Sequence, residues 1–276
     1  VKHSKIFSFC NQKGGVGKTT SAINLATGIA ESGYRVLLID IDPQANATSG
    51  LGEDKTSTEL SVYQVVTDNL PAESAVKNTQ FERLSLIPSN PNLSGAEVEL
   101  ISVEEREFRL RKALEPLQER FDFIFIDCPP SLGLLTINAL VASDFVFIPL
   151  QCEYYALEGL GQLIQTFSLV KKNLNPGLEL GAVLLTMADF RTKLTEQVIK
   201  EVRDHFQGKV FETVIPRSVR LSEAPSFGKP GIIYDRTNRG AKSYIDATAE
   251  FLKKFSQEKR EQESTEEITS QGENRG

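Results

Sequence analysis

Three short segments of the chain, Val36-Leu37-Leu38-Ile39-Asp40, Phe121-Asp122-Phe123-Ile124-Phe125-Ile126-Asp127 and Asp144-Phe145-Val146-Phe147-Ile148-Pro149-Leu150, are apolar at nearly every position. A strand that is apolar on both faces is stable only when both faces of its sheet are covered, which is the situation in a parallel sheet flanked by helices. Further strand-like runs are expected at residues 6–10, 84–88, 180–185 and 210–215. Helical patterns fall between them, at 19–31, 106–119, 134–142, 158–173, 192–206 and 240–255. The alternation predicts an α/β, doubly wound, mostly parallel sheet with helices on both faces. The least regular stretch, 51–105, is read as loops, short helices and an edge strand.

A chain of 276 residues can bury a large core, and residues 1–256 are read as one such domain. The last twenty residues, 257–276, hold six Glu, three Lys or Arg and a single aliphatic residue, Ile268. Such a segment buries too little apolar surface to offset its ordering entropy, so it is expected to be a disordered acidic tail. No apolar run is long enough to span a bilayer and no signal-peptide pattern precedes the first strand, so a cytoplasmic location is expected. Cys10, Cys128 and Cys152 are widely spaced and read as reduced thiols, and the two histidines, His3 and His205, offer little for metal or triad chemistry.

Chemistry concentrates between the first strand and the first helix, in Gln12-Lys13-Gly14-Gly15-Val16-Gly17-Lys18-Thr19-Thr20. Glycines let a backbone wrap phosphate oxygens, and the following helix presents N–H donors and its positive dipole end to the anion. Lys18 is placed to reach the β- and γ-phosphates, Thr19 to offer its hydroxyl to Mg²⁺, and Thr20 to contact the α-phosphate. The first glycine of the usual G-x-x-x-x-G-K-[ST] pattern is replaced by Gln12, and a second lysine, Lys13, stands at the loop entrance. Hydrolysis also needs acidic groups for the metal and the attacking water. Three aspartates, Asp40, Asp42 and Asp127, close two of the apolar strands, at the sheet edge where ligands of open α/β sheets sit.

The loop resembles the deviant Walker A motif of the ParA/MinD group of P-loop ATPases. The segment Ile215-Pro216-Arg217-Ser218-Val219-Arg220-Leu221-Ser222-Glu223-Ala224-Pro225 resembles the corresponding stretch of chromosomal ParA/Soj proteins. The resemblance spans roughly residues 5–255 and implies an ATPase for chromosome or plasmid partitioning, with ATP and Mg²⁺ as cofactors. It assigns Lys13 to the nucleotide of a facing subunit in a sandwich homodimer, Asp42 to orienting the attacking water, Asp127 to the Mg²⁺ contact and Asp40 to a supporting place beside the metal. Gly14, Gly15, Val16 and Gly17 would cradle phosphate. Met187, Pro216 and Ser218 would lie against adenine, with serine at 218 where the family usually has asparagine. Cys128, beside Asp127, offers redox control or an iron–sulfur ligand by resemblance to the nitrogenase iron protein, but a buried free cysteine behaves as a small hydrophobe and an inert thiol is expected.

The folded part is close to charge balance, yet residues 217–242 carry six basic side chains against two acidic ones. Charge alone reads as a solvated face. The resemblance implies non-specific binding of double-stranded DNA in the ATP state, with Arg191, Arg217 and Arg220 as candidate contacts, and release through a ParB/Spo0J-like centromere-binding partner. It further implies nucleoid association, without the amphipathic membrane anchor of MinD. Two rivals stay open at this level: a MinD-like placement ATPase, and an ATP-dependent metabolic ligase on the same scaffold.

Overall fold

The computed structural model describes residues 3–256; the acidic segment 257–276 lies outside the described residues. Seven strands form one sheet: β1 Lys5–Phe9, β2 Val36–Asp40, β3 Lys77–Asn78, β4 Leu84–Ile87, β5 Phe123–Asp127, β6 Phe145–Gln151 and β7 Glu179–Thr186. Their spatial order is β3-β4-β2-β5-β1-β6-β7, parallel throughout except for the short edge strand β3. The order reverses at β1, which lies between β5 and β6. That reversal opens a crevice at the carboxyl end of β1, and the glycine-rich loop emerges there.

Strand alternation sorts the core into two layers of different character. Phe7, Phe9, Leu38, Phe123, Phe125 and Phe147 point to one face and Ile6, Ile39, Ile124, Ile126 and Ile148 to the other. The aromatic face is covered by helix α1, Lys18–Glu31, and by the last helix, Arg239–Phe255. Phe251 sits 4.9 Å from the Phe7 ring and 5.4 Å from those of Phe123 and Phe125. The two covering helices approach closely because residue 28 is glycine: a Cβ there would lie 2.4 Å from the Thr248 hydroxyl oxygen. Helices Leu134–Ala142, Gly161–Asn173 and Lys193–His205 cover the aliphatic face. None of the helices among the described residues is long and apolar enough to cross a membrane.

Two sequence expectations are corrected. Residues 210–215 do not form a strand. Val210 and Pro216 make only isolated bridges, to Val183 and Ala188, because the intervening amides of Glu212 and Thr213 donate instead to the Glu250 carboxylate at 2.7 and 3.0 Å. The helical pattern at 106–119 is broken into a helix, Arg109–Leu114, flanked by 3₁₀ turns, with Pro116 unable to donate to a helical ladder. The edge strand expected in the irregular stretch is β3.

Truncating Phe251 to alanine removes the ring on which three strands converge. It is expected to lower stability by about 3–5 kcal/mol, read from urea denaturation, whereas alanine at exposed Leu169 is expected to change it by less than about 0.5 kcal/mol.

Candidate functional site

The loop between β1 and α1 is held in a nest-like form by two left-handed glycines, Gly15 at φ 74° and Gly17 at φ 86°. A side chain at either position would be strained. Gly17 caps α1, so the first N–H groups of the helix face the loop. Two bonds shape the turn: the Thr186 hydroxyl, at the end of β7, donates to the Val16 carbonyl at 2.8 Å, and the Lys18 ammonium donates to the Lys13 carbonyl at 3.3 Å. Lys18 is buried, while Lys13 is exposed and ion-paired with Glu153, just beyond β6.

Beside the loop lies a cleft of about 390 Å³. Gly14, Gly15, Gly17, Lys18, Thr19 and Thr20 line one side, and Asp42, Pro130 and Met187 also reach it. A smaller cavity of about 120 Å³ continues from Gly17 and Thr20 and is lined by Met187, Pro216 and Ser218. Of the residues expected at the nucleotide, seven line the cleft and Pro216 and Ser218 line the smaller cavity, which shares Gly17, Thr20 and Met187 with it, whereas Lys13 and Val16 line neither. Met187 adopts φ 53°, an uncommon left-handed conformation for a residue other than glycine. The Ser218 hydroxyl caps helix Val219–Glu223 through Leu221 N and donates to Asn238 Oδ1 at 2.8 Å. Its proton is thus committed to a structural partner.

The strand-end aspartates differ sharply in their surroundings. Asp40 and Asp127 are register partners on neighbouring strands and both are fully buried. Asp40 accepts from the Thr48 amide and hydroxyl, each at 2.8 Å, and from the Asp42 amide at 3.2 Å, yet burial still pushes its carboxyl up to about 6. Among the described residues neither oxygen of Asp127 has a hydrogen-bond partner, and burial followed by repulsion from Asp40 raises it well above the usual carboxylate range. The nearby Thr19 hydroxyl and Lys18 ammonium oppose that rise. Asp42 is bound through Oδ1 to the Gln44 amide and lines the cleft.

An orphaned carboxylate next to a threonine hydroxyl and a phosphate-shaped loop fits a hard cation such as Mg²⁺, which takes one or two protein oxygens and completes its shell with water and phosphate. Among the described residues no three His, Cys, Asp or Glu side chains cluster as a self-sufficient metal cage. The three cysteines are free. The Cys128 thiol lies 3.3 Å from that of Cys10 in the aliphatic core layer, and burial pushes it well up, so it is held as a protonated thiol.

The candidate arginines are brought to one exposed region. Arg191 pairs bidentately with Asp189, holding that carboxyl down at about 2, and Arg217 adds to the effect. Arg217, Arg220 and Arg239 line a shallow depression next to the small cavity. Arg220 is paired with Glu223 at 3.0 Å and Asp235 at 3.5 Å, and Arg236 with Glu31, so part of the basic run is internally neutralised. Sequence reasoning did not pick out Glu153, although it follows a strand end as the aspartates do. It also missed Asn24, which links Thr20 O at 2.8 Å to Ile232 N at 2.9 Å and so ties α1 to the segment beyond the Pro216 stretch.

Residues 4–180 match a family model described as an AAA domain. The sporulation initiation inhibitor protein Soj of Bacillus subtilis is 57% identical over 246 residues, covering 89% of this chain and 97% of that protein. The chromosome partitioning protein ParA of Myxococcus xanthus is 52% identical, with 91% and 88% covered. Among solved structures, cobyrinic acid a,c-diamide synthase from Mycobacterium smegmatis with a bound ATP analog and magnesium superposes with a TM-score of 0.79 at 36% identity, covering 90% of this chain and 94% of that one.

Replacing Asp127 with asparagine removes a buried carboxyl whose ionisation the fold disfavours. The variant is expected to be more stable than the parent at pH 7.5 without nucleotide, by about 1–3 kcal/mol, and to lose Mg²⁺-dependent nucleotide binding. Because Asp40 and Asp127 are raised in the folded protein, their stabilising contribution is present at low pH and lost as pH rises through about 6 for Asp40. The parent's denaturation midpoint should therefore fall between pH 5 and 7.5 more steeply than that of Asp127→Asn. The loop, the strand-end carboxylates and the extent of identity together place the chain in the Soj/ParA family of chromosome-partitioning ATPases.

Proposed function

We propose that the protein is an ATP-dependent molecular switch for chromosome or plasmid partitioning: a sandwich homodimer that forms on ATP, binds DNA without sequence preference, and is released when a ParB/Spo0J-like partner stimulates hydrolysis. The observation that carries this reading is the contrast between the two loop lysines. Lys18 is buried and lines the cleft of its own subunit, whereas Lys13 is exposed, does not line that cleft and is held by Glu153 beside exposed Tyr154 and Tyr155. A lysine presented outward at the rim is suited to reach a nucleotide held by a second subunit.

Within the site, Gly14 to Gly17 and the first amides of α1 bind the phosphates, Lys18 neutralises the β- and γ-phosphate charge, and Thr20 reaches the α-phosphate. Thr19 and Asp127 would hold Mg²⁺, which when bound offsets phosphate charge and relieves the buried carboxylate. Asp40 supports the turn by fixing the amides of Asp42 and Thr48. Asp42, pinned through Oδ1 by Gln44, orients the attacking water. Met187 and Pro216 border the adenine, and Ser218 shapes that wall by capping rather than by reading the base. Catalysis rests on positioning and charge neutralisation, so turnover without a partner should be slow.

Arg191, Arg217 and Arg220 are the proposed DNA contacts, gripping phosphates rather than bases. ATP dependence follows if dimerisation joins two such surfaces into one. The similarity to the diamide synthase structure supports a second reading, an ATP-dependent synthase; the higher identity to Soj, over nearly its whole length, favours partitioning.

The test is binding of the Asp42→Ala protein, expected to persist as an ATP-loaded dimer, to random-sequence duplex DNA with ATP, ADP or neither. Binding is expected with ATP only. Three arginines from each of two subunits give an expected slope of log K against log salt of about −5, and Arg191→Ala or Arg220→Ala should each reduce it by about 2. No DNA binding in any nucleotide state would favour the synthase reading. Lys18→Ala should abolish nucleotide binding, while Lys13→Ala should retain ATP and fail to dimerise by light scattering.

A further inference from the structure

Lys229 belongs by sequence to the basic run, but it lines the main cleft together with Thr20 and Asn24, not the depression shared by Arg217, Arg220 and Arg239. It and Lys18 are the lysines of that lining, and Asp42 is its carboxylate. Unlike Arg220 and Arg236, Lys229 makes no ion pair among the described residues.

The backbone that carries Lys229 is held with unusual firmness for a surface turn. Gly228 has φ 60° and Gly52 φ 89°, and the two backbones touch: a Cβ on Gly228 would lie 2.7 Å from Gly52 Cα. Gln80 Nε2 donates to the Gly228 carbonyl at 3.2 Å. The Lys229 amide donates to the Ala224 carbonyl at 3.3 Å, and Pro230 restricts the next φ. Two residues further on, Ile232 N donates to Asn24 Oδ1, and Asn24 itself bonds the Thr20 carbonyl. The turn is thereby fixed relative to the first turn of α1, whose amides face the phosphates. A flexible side chain on a rigid base at the rim of a cleft is a device for closing over a charged ligand.

We propose that Lys229 is a second cationic ligand for the phosphates of the nucleoside polyphosphate, delivered from the turn that Gly228 packs against Gly52. This rests on the reading of the cleft as the ATP site. Lys18 supplies a buried charge that is in place before the ligand arrives, and Lys229 supplies an exposed one that swings onto it, so the phosphates are held from two sides.

The experiment is calorimetric titration of the full chain with Mg·ATP and Mg·ADP across a salt series. Lys229→Gln is expected to weaken ATP binding about tenfold and to flatten its salt dependence, and Lys229→Arg to restore affinity to within about threefold of the parent. Lys18→Ala, run alongside, reports on the cleft itself. If Lys18→Ala abolishes binding while Lys229→Gln stays within about twofold of the parent, the proposal is wrong and the cleft reading stands. If Lys18→Ala binds ATP like the parent, the cleft reading fails and the proposal with it. Should Lys229→Gln weaken DNA binding at saturating ATP with unchanged ATP affinity, the residue belongs to the DNA surface and the proposal is overturned.

Discussion

The site is organised around a buried carboxyl group that the described residues leave without a hydrogen-bond partner. Asp127 stands at the end of a central strand, next to Asp40 in register, with both oxygens unpartnered. Such a group is costly in isolation, and a fold keeps it only if something outside the chain completes it. The rest of the site follows from that constraint. The sheet order reverses one strand away, the glycine-rich loop opens at that point, and Thr19 and Lys18 are carried to the carboxylate by the start of α1. Nucleotide and metal then act as missing parts of the core, and their arrival or loss changes the energy of the whole strand-end cluster.

A switch needs such a coupling. With one carboxylate clamped by Thr48 and the other left bare, the site distinguishes its loaded and unloaded states electrostatically. The exposed Lys13–Glu153 pair lies where the proposed dimer would bring a second subunit. The depression lined by Arg217 and Arg220 adjoins the small cavity, with Pro216, Arg217 and Ser218 common to both. One short segment, Pro216 to Arg220, thus borders both the proposed base side of the pocket and the proposed DNA surface.

Much of this was legible in the sequence because it is local. The loop, the apolar strands and their terminal aspartates are contiguous motifs, and the continuous apolar runs pointed to a parallel sheet covered by helices on both faces. What escaped was non-local. Glu250, on the last helix, takes the amides that a strand at 210–215 would have used, and no pattern within that segment announces it. Ser218 reads as a ligand contact by alignment of motifs but serves as a helix cap tied to Asn238, twenty residues away. Glu153 is 140 residues from Lys13. Lys229 looks like one more charge in a basic run, yet the fold places it in the lining of the cleft.

The central claim is that Lys13 acts on the nucleotide of the opposite subunit. Mixing Lys13→Ala protein, which keeps its own ATP cleft, with Lys18→Ala protein, which keeps Lys13, can create one intact composite site per heterodimer. The account predicts that each variant alone stays monomeric with ATP and that the mixture recovers ATP-dependent heterodimers by light scattering or cross-linking. A mixture as inert as its components, with both variants folded, would place Lys13 in its own subunit's site and contradict the account.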